Sequence, residues 1–397
     1  MAILIGVDEA GYGPNYGPLA VAATAWRIDG EKAEAGKRKA ASSRSALKRA
    51  GTSSPPAAVA TAHFANFPDL YKLLRRAVVL SPDQCARRVA IADSKALYKS
   101  GMTLAGLERG VLAALACVAA QRHELPLSDT AGLTSDQPTM SVDRCIARLA
   151  ELLAATCADP HARRGELSCH ADDDLPLPID SCSQDVVRAA TLLRCIGEQC
   201  GASLVAIRAR LVFPAEFNDL CDRFGTKGAA LSHITLELLR RVVDEVHAAG
   251  AGGGDAPARL GSLPTAFCPP PTFICFDKHG GRNRYAALLQ HHFPEGWINA
   301  IHESRDESRY TWRHNDATIE AIFRVRGEAM LPTALASMTA KYHRELSMRA
   351  FNAFWTARIP GLRPTAGYPR DATRFRTDIA AKQRELGIDD RLLWRFR

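Results

Sequence analysis

The sequence of 397 residues predicts an α/β protein. An apolar run at residues 3–7 has the composition of a buried strand, and residues 19–28 have that of a second one. A loop rich in glycine and proline separates the two runs, which predicts a hairpin. Further along, strand-like runs alternate with segments whose apolar residues recur at helical spacing, as α/β proteins require.

The remaining elements follow from the same periodicities. A strand at 88–92 leads through Asp93-Ser94-Lys95 to a helix at 104–122. The later chain is predicted to contain strands at 203–212, 272–276, 297–303 and 319–325, and helices at 229–248, 285–291 and 332–354.

We expect a single domain over residues 1–397, with a C-terminal helical part from about residue 350. Residues 30–87 are predicted to be an insertion that is partly disordered, because they begin with a tract of Ala, Lys, Arg, Ser, Gly and Pro. Residues 124–183 are predicted to be a second insertion, since they mix polar loops with one short helical stretch around residues 145–157.

Composition excludes several classes of protein. The apolar content of 47% fits a globular protein, and the apolar run at 111–120 is too short to cross a bilayer. The N-terminus has no basic leader, so we expect a cytoplasmic location and no membrane partner. The 11 cysteines are then expected to be reduced. A Cys/His grouping between Cys157 and Cys182 lacks the paired spacing of structural zinc sites.

The net charge of +8 favours a polyanionic partner. Cations in the C-terminal segment alternate with aromatic residues, a combination found in nucleic-acid grooves. A soluble helical tail explains that segment equally well. These residues are Arg363, Arg370, Arg374, Arg376, Lys382, Arg384, Arg391, Arg395 and Arg397, with Tyr368, Phe375, Trp394 and Phe396.

Carboxylates at the ends of predicted strands indicate a metal site. Asp8 and Glu9 end the first strand, and they can share one ion only if the strand ends there, because neighbouring side chains on a regular strand point to opposite faces. Asp277 ends a later strand, and Glu345 lies on the helix predicted at 332–354. Four carboxylates suit two Mg²⁺ ions of a phosphodiesterase. A solvated acidic turn is the alternative for Asp8 and Glu9, and a surface ion pair with Lys341 is the alternative for Glu345.

Several blocks, in order, resemble the type 2 ribonuclease H family, which includes ribonucleases HII and HIII. The opening resembles the family's GVDEAGRG motif, the second block its DSKKL element, the third its ASILAKVTRD helix, and the last two its C-terminal KGYGT and HRRSF patterns. The matching segments are Gly6-Val7-Asp8-Glu9-Ala10-Gly11-Tyr12-Gly13, Asp93-Ser94-Lys95-Ala96-Leu97, the stretch from Ala336 to Glu345, Gly367-Tyr368-Pro369, and Trp394-Arg395-Phe396.

The resemblance implies an RNase H-like fold, a mixed five-stranded sheet flanked by helices with a C-terminal helical extension. It implies hydrolysis, dependent on Mg²⁺ or Mn²⁺, of RNA in RNA–DNA hybrids or of ribonucleotides embedded in duplex DNA, leaving 3′-hydroxyl and 5′-phosphate ends. The resemblance assigns metal binding and catalysis to Asp8, Glu9, Asp277 and Glu345. It assigns substrate binding to Gly11, Tyr12, Gly13, Ser94, Lys95 and Tyr368.

The chain departs from the family pattern at five motif positions, which include Ala366 in place of a lysine and Phe375 in place of a histidine. Tyr12 replaces an arginine, Ala96 replaces a lysine, and Glu345 replaces an aspartate. Two alternatives therefore stay open: an RNase H-like nucleic-acid-binding protein without hydrolytic activity, and a metal-dependent nuclease with a different substrate. Helix capping is a structural alternative for Ser94 and Lys95, as a place in the core is for Tyr368.

Overall fold

The computed structural model describes residues 1–30, 68–81, 87–99, 101–122, 146–157, 169, 175–251 and 269–396. The basic tract at 31–67 and most of the segment 123–174 lie outside these residues. Among the described helices, none is both long enough and apolar enough to span a membrane.

A seven-stranded mixed sheet forms the centre of the described structure, in the order β5-β2-β1-β6-β9-β8-β7. Strand β1 is antiparallel to β2 and parallel to β6, which is itself parallel to β9. A separate pair is formed by β3 and β4. The strands are β1 (Ala2–Ala10), β2 (Leu19–Ile28), β3 (Val78–Val79), β4 (Val89–Ala90), β5 (Ala202–Val212), β6 (Thr272–Asp277), β7 (Asn299–Glu303), β8 (Glu307–His314) and β9 (Ala317–Arg324).

Helices cover both faces of the sheet. The longest is α9, which begins with a proline in its first turn, where the missing N–H costs nothing. A 3₁₀ turn at Gly327–Ala329 precedes it. The helices are α1 (Leu70–Leu73), α2 (Ser94–Leu97), α3 (Ala105–Arg122), α4 (Leu149–Thr156), α5 (Ser183–Cys200), α6 (Pro214–Phe224), α7 (Lys227–Ala251), α8 (Ala286–His292), α9 (Leu331–Thr356), α10 (Pro369–Glu385) and α11 (Asp390–Leu393).

Alternation along β1 divides the core into two layers. Leu4 packs in one layer with Leu335 and other residues of α9, while Ile5 and Val7 pack in the other with residues of α7 such as Leu239. A third cluster joins Tyr16 to Phe375 of α10. The N-terminal strand is therefore buried on both faces, and the carboxylates at its end lie between two helical layers.

The predicted α/β class, the mixed sheet flanked by helices and the C-terminal helical extension are confirmed. The hairpin of β1 and β2 is also confirmed. The number of strands was wrong, because the sheet has seven rather than five. Strand β8 was not predicted, because charged and polar residues alternate with its apolar ones. Tyr310 and Trp312, at alternate positions of this strand, are buried.

The strand predicted at 88–92 is formed only at Val89–Ala90, and it pairs with Val78–Val79 outside the main sheet. Residues 68–81 fall inside the predicted first insertion, but Leu70 and Leu74 pack in the same core cluster as Leu4. The boundaries of both insertions stay predictions.

Candidate carboxylate-rich active site

Two of the predicted carboxylates are neighbours across parallel strands. The last paired residues of β1 and β6 are Val7 and Phe276, so Asp8 and Asp277 are the next residues on adjacent strands. Parallel strands lie about 4.8 Å apart, and residues opposite each other point to the same face. The carboxyl ends of β1 and β6 therefore bring Asp8 and Asp277 together.

Asp8 is buried beneath the first turns of α9. Its side chain is 6% exposed and forms a hydrogen bond with Ser337. The hydroxyl oxygens of Ser337 and Ser94 lie 3.0 Å apart, within hydrogen-bond distance of each other. Helix α9, the start of α2 and the end of β1 thus meet at this carboxylate.

Glu9 also belongs to this group of carboxylates, but the strand that ends beside it is β6 and not β1, the strand predicted to end there. Strand β1 does not end at Glu9, because its pairing with β2 continues to Ala10. Alternation then directs Asp8 and Glu9 to opposite faces. Since β6 ends at Asp277, the sheet stops there on that side of β1, and Glu9 interacts electrostatically with Asp277 and Asp8 across this end.

Glu328 is a further carboxylate of the site that the sequence analysis missed. It lies in the 3₁₀ turn after β9, where the backbone N–H of Gly327 donates to Oδ1 of Asp277 at 3.0 Å. A Cβ on Gly327 would lie 2.7 Å from the backbone N of Asp277, so only glycine lets the turn approach β6 this closely. The sequence carried only a partial signal: Glu328 follows a predicted strand, but its glycine precedes the carboxylate, whereas glycines follow Glu9 and Asp277.

The electrostatics of the four carboxylates are those of a crowded, desolvated anionic site. Burial, followed by repulsion from Glu9, raises the pKa of Asp8 well above its usual value. Burial and repulsion from Asp277 and Glu328 raise the pKa of Glu9 to about 7. Burial and the charge of Asp277 also raise the pKa of Glu328. Each shift shows that bringing these anions together is unfavourable without a positive charge among them.

Lys95 supplies part of that positive charge. Burial tends to lower the pKa of Lys95, but the carboxylates of Asp93, Glu328, Asp8 and Asp277 together raise it. Asp93 caps α2 by accepting a hydrogen bond from the backbone N of Lys95 at 2.9 Å. The capping role considered for Ser94 and Lys95 therefore belongs to Asp93, and the Lys95 side chain is left facing the acidic group.

Glu345 has other partners. Its carboxylate accepts hydrogen bonds from the Lys341 ammonium at 2.6 Å and from the Tyr98 hydroxyl at 3.0 Å. It lies eight residues beyond Ser337, which places it on the same face of α9 but about 12 Å farther along the axis. The metal-binding role assigned to Glu345 stays a prediction, and its observed contacts are those of an ion pair within the helix.

The glycine loop after β1 lies beside the carboxylates. Gly11 has a φ of +86°, and a Cβ there would lie 2.8 Å from the Pro18 carbonyl oxygen, so the turn requires glycine. The Tyr12 ring contacts the Lys227 ammonium, 4.6 Å from the ring centroid. Gly13 lies near the ring of Tyr368, which is 51% exposed and is therefore not a core residue. The structure thus groups the predicted substrate-binding residues Gly11, Tyr12, Gly13 and Tyr368 on one side of the site.

Fewer of the C-terminal cations can bind nucleic acid than the sequence suggests, because several are paired within the protein. Arg395 is buried, and its guanidinium donates to the Gly11 carbonyl oxygen at 2.7 Å. Several others form ion pairs: Arg374 with Asp371 and Asp378, Arg376 with Asp390, Lys382 with Glu385, and Arg391 with Asp219. Much of the positive charge in this segment is therefore balanced locally.

The fold and the site define an α/β protein with an acidic group at the carboxyl ends of parallel strands. A scan against protein-family models and a search of curated proteins found no match. Among solved structures, the chain is similar to the ribonuclease H2 from Pyrococcus horikoshii OT3, with 13% identity over 98% of this chain and 92% of that chain and a TM-score of 0.36.

Two other solved structures are similar to this chain. One is the RNase HII of the PCNA:RNase HII complex from Archaeoglobus fulgidus, with 12% identity over 100% of this chain and 94% of that chain and a TM-score of 0.34. The other is Bst-RNase HIII in complex with Mn²⁺, with 13% identity over 100% of this chain and 66% of that chain and a TM-score of 0.33. At these identities and TM-scores, the likeness does not assign the chain to a family.

Proposed function

We propose that this protein is a metal-dependent endonuclease that hydrolyses RNA paired with DNA, or ribonucleotides embedded in duplex DNA. The observation that carries the proposal is the convergence of Asp8, Glu9, Asp277 and Glu328 at one end of the sheet. The substrate class comes from the ordered motifs that resemble type 2 ribonucleases H, and the proposed products carry 3′-hydroxyl and 5′-phosphate ends.

The donor set fits Mg²⁺ or Mn²⁺. Both ions prefer hard carboxylate oxygens, and four such groups are held together here despite mutual repulsion. Divalent cations would offset that repulsion and keep the carboxylates ionised at neutral pH. When bound, two ions supply activation of the attacking water and stabilisation of the leaving oxygen. Asp8, Glu9, Asp277 and Glu328 are the residues proposed to hold them, with Glu345 as the alternative fourth carboxylate.

The remaining residues position the substrate in this proposal. The Lys95 ammonium interacts electrostatically with the carboxylates, and its proposed role is to bind a phosphate of the strand being cut. The backbone of the Gly11 to Gly13 turn is suited to the ribose 2′-hydroxyl, the group that distinguishes RNA from DNA. The exposed ring of Tyr368 offers a surface on which a sugar or base can pack.

One departure from the family pattern bears on specificity. Tyr12 has no guanidinium group, but the Lys227 ammonium lies over its ring, 4.6 Å from the ring centroid. Lys227 therefore brings a positive charge to the position where the family has an arginine. This arrangement supports retained substrate binding, whereas the pairing of Glu345 with Lys341 favours the second candidate, a nucleic-acid-binding protein without hydrolysis.

The test uses three labelled duplexes in Mg²⁺ or Mn²⁺: DNA with one ribonucleotide, an RNA–DNA hybrid, and DNA alone. The proposal expects cleavage of only the RNA-containing duplexes, and loss of that cleavage in Asp8→Asn. Tight binding without cleavage in either metal would identify the binding protein. Cleavage of the all-DNA duplex would identify a nuclease with a different substrate.

A further inference from the structure

Three histidines meet between α7 and α8, on the opposite layer from α9. His233 lies in the second turn of α7, and His291 and His292 are the last two residues of α8. Each offers a ring nitrogen, and the three nitrogens all lie within 4.8 Å of one another. Nδ1 of His233 and Nε2 of His292 are 3.0 Å apart.

The surroundings fix the positions of these rings. The His233 ring stacks on Phe224, with 3.8 Å between ring centroids and 12° between planes. The end of α8 is anchored by the buried side chain of Phe293 and by Arg240 of α7, whose guanidinium donates to the His292 carbonyl oxygen at 2.8 Å. The two helix segments that carry the histidines are therefore held together by contacts that do not involve the imidazoles.

The facing nitrogens restrict the protonation of the rings. Since His233 Nδ1 and His292 Nε2 are within hydrogen-bond distance, only one of the two can carry a hydrogen there and the other must accept. At least one ring therefore directs a lone pair into the group. Neutral imidazoles are the commonest protein ligands for zinc, which places its nitrogen donors at 2.0–2.1 Å.

We infer that His233, His291 and His292 form a binding site for a zinc-class cation that links α7 to α8. Tetrahedral zinc with such bond lengths holds its nitrogen ligands about 3.4 Å apart. His233 Nδ1 and His292 Nε2 are 3.0 Å apart and every pair in the group lies within 4.8 Å, so rotation of the side chains would bring three nitrogens to this spacing. Water would occupy the fourth position, because His291 is exposed.

The ligand chemistry separates this site from the carboxylate site. Imidazole favours Zn²⁺, Cu²⁺ and Ni²⁺ over Mg²⁺, whereas carboxylates favour Mg²⁺ and Mn²⁺. Three cations act electrostatically on the group, Arg223 and Arg282 on His233 and Arg240 on His292, and one carboxylate, Glu237, acts on His292. The net charge around the histidines is therefore positive, so the site depends on coordination rather than on charge attraction.

The test is a titration of the full chain with Zn²⁺ in excess Mg²⁺, followed by calorimetry and by the change in Tm. We expect Zn²⁺ to raise Tm, as any ligand of the folded state does, and His291→Ala to weaken zinc binding at least about tenfold. His302→Ala is the matched control, because His302 is also an exposed histidine but lies on β7. Zinc binding to exposed thiols such as Cys182 is the same in both variants.

The variant Asp277→Asn distinguishes zinc binding at the histidines from zinc binding at the carboxylate site. Loss of the zinc response in His291→Ala, with the response retained in His302→Ala and Asp277→Asn, would establish the histidine site whether or not the protein is a nuclease. An unchanged response in His291→Ala, no zinc binding by the wild type, or loss in Asp277→Asn alone would overturn it. If His291→Ala does not fold, His291→Gln provides the same comparison with a side chain closer in size.

Discussion

Glu9 shows how strongly the carboxylate site opposes folding in the absence of a cation. Its pKa rises from 4.5 to about 7, so the folded protein binds this proton more tightly than the unfolded chain does. Stability therefore falls as pH rises from about 4.5 to about 7, because folding then requires the carboxylate to ionise in a buried site. We expect Glu9→Gln to stabilise the metal-free protein above pH 7, by on the order of 2 kcal/mol.

Denaturant unfolding of wild type and Glu9→Gln at pH 5 and pH 8, in a chelator, measures this effect. The difference between the two proteins should be small at pH 5 and larger at pH 8, and millimolar Mg²⁺ should reduce it, because the ion stabilises the wild type more than a variant that keeps only three of the four carboxylates. A difference that does not change with pH would show that Glu9 is not in the desolvated site described here.

Glu328 and Glu345 are the two candidates for the fourth carboxylate of the proposed metal site. Glu328 interacts electrostatically with Asp8, Glu9 and Asp277, whereas Glu345 is paired with Lys341. We therefore expect Glu328→Gln to lower kcat/KM about 100-fold or more and to weaken Mg²⁺ binding. Glu345→Gln is the matched control and should cost less than about tenfold. The reverse order of effects would assign the metal to Glu345, as the family resemblance does.

At the scale of elements, the approach of α9 to β1 decides where the site can form. The Cβ of any residue replacing Gly6 would lie 2.1 Å from the backbone carbonyl carbon of Pro332, a distance that neither element can relieve by a side-chain movement. We expect Gly6→Ala to destabilise the protein by about 3 kcal/mol or more and to reduce metal binding, since it pushes α9 and Ser337 away from Asp8. Gly281→Ala, where no atom lies within 4 Å, is the control and should leave the unfolding midpoint unchanged. Equal midpoints for the two variants would contradict this account of the packing.

Local sequence patterns predicted the strands that are nearly uninterrupted runs of apolar residues. Strands β1, β2 and β6 are apolar runs followed by glycine-containing loops, so the existence of all three and the bounds of β2 and β6 could be predicted. Strand β8 could not, because its period-2 alternation is hidden by charged residues at the exposed positions. Glu328 was missed because its approach depends on a glycine contact between β9 and β6 that only the sheet order reveals.

Glu9 illustrates a different limit of the sequence. The expectation that β1 must end at Glu9 assumed that two adjacent carboxylates need an irregular backbone to interact. The strand instead remains paired through Ala10, and the neighbouring strand β6 is the one that ends. Which strand stops first is a property of the sheet and cannot be deduced from β1 alone.

At the scale of the whole molecule, the C-terminal segment closes over the loop that follows β1. The backbone N–H of Arg395 donates to the Asn15 carbonyl oxygen at 2.9 Å, and Trp394 packs edge-on against Tyr16. Asn218 of α6 donates to the Trp394 carbonyl oxygen at 2.9 Å, which fixes the segment from the other side. Residues nearly the full length of the described chain apart therefore set the position of the glycine loop.

Burying the charged side chain of Arg395 is energetically unfavourable, so we expect it to position the glycine loop rather than to stabilise the fold. Its side chain is fully buried, and its Nε and Nη1 have no hydrogen-bond partner among the described residues. Burial and the charge of Arg344 hold its pKa well below the usual value. Replacing such a buried charge by an apolar side chain of similar size is often neutral or stabilising. The bond from Arg395 to the Gly11 carbonyl oxygen is what an apolar replacement would lose.

We therefore expect Arg395→Met to leave Tm unchanged or raise it, while lowering kcat/KM on RNA-containing duplexes about tenfold, because Gly11 and its neighbours lose their fixed position. Arg188→Met, at an exposed position of α5, is the matched control and should change neither quantity. Thermal unfolding and steady-state kinetics on the same preparations separate the two effects. A large fall in Tm for Arg395→Met would show that the arginine supports the fold itself, and unchanged kinetics would show that the glycine loop is positioned without it.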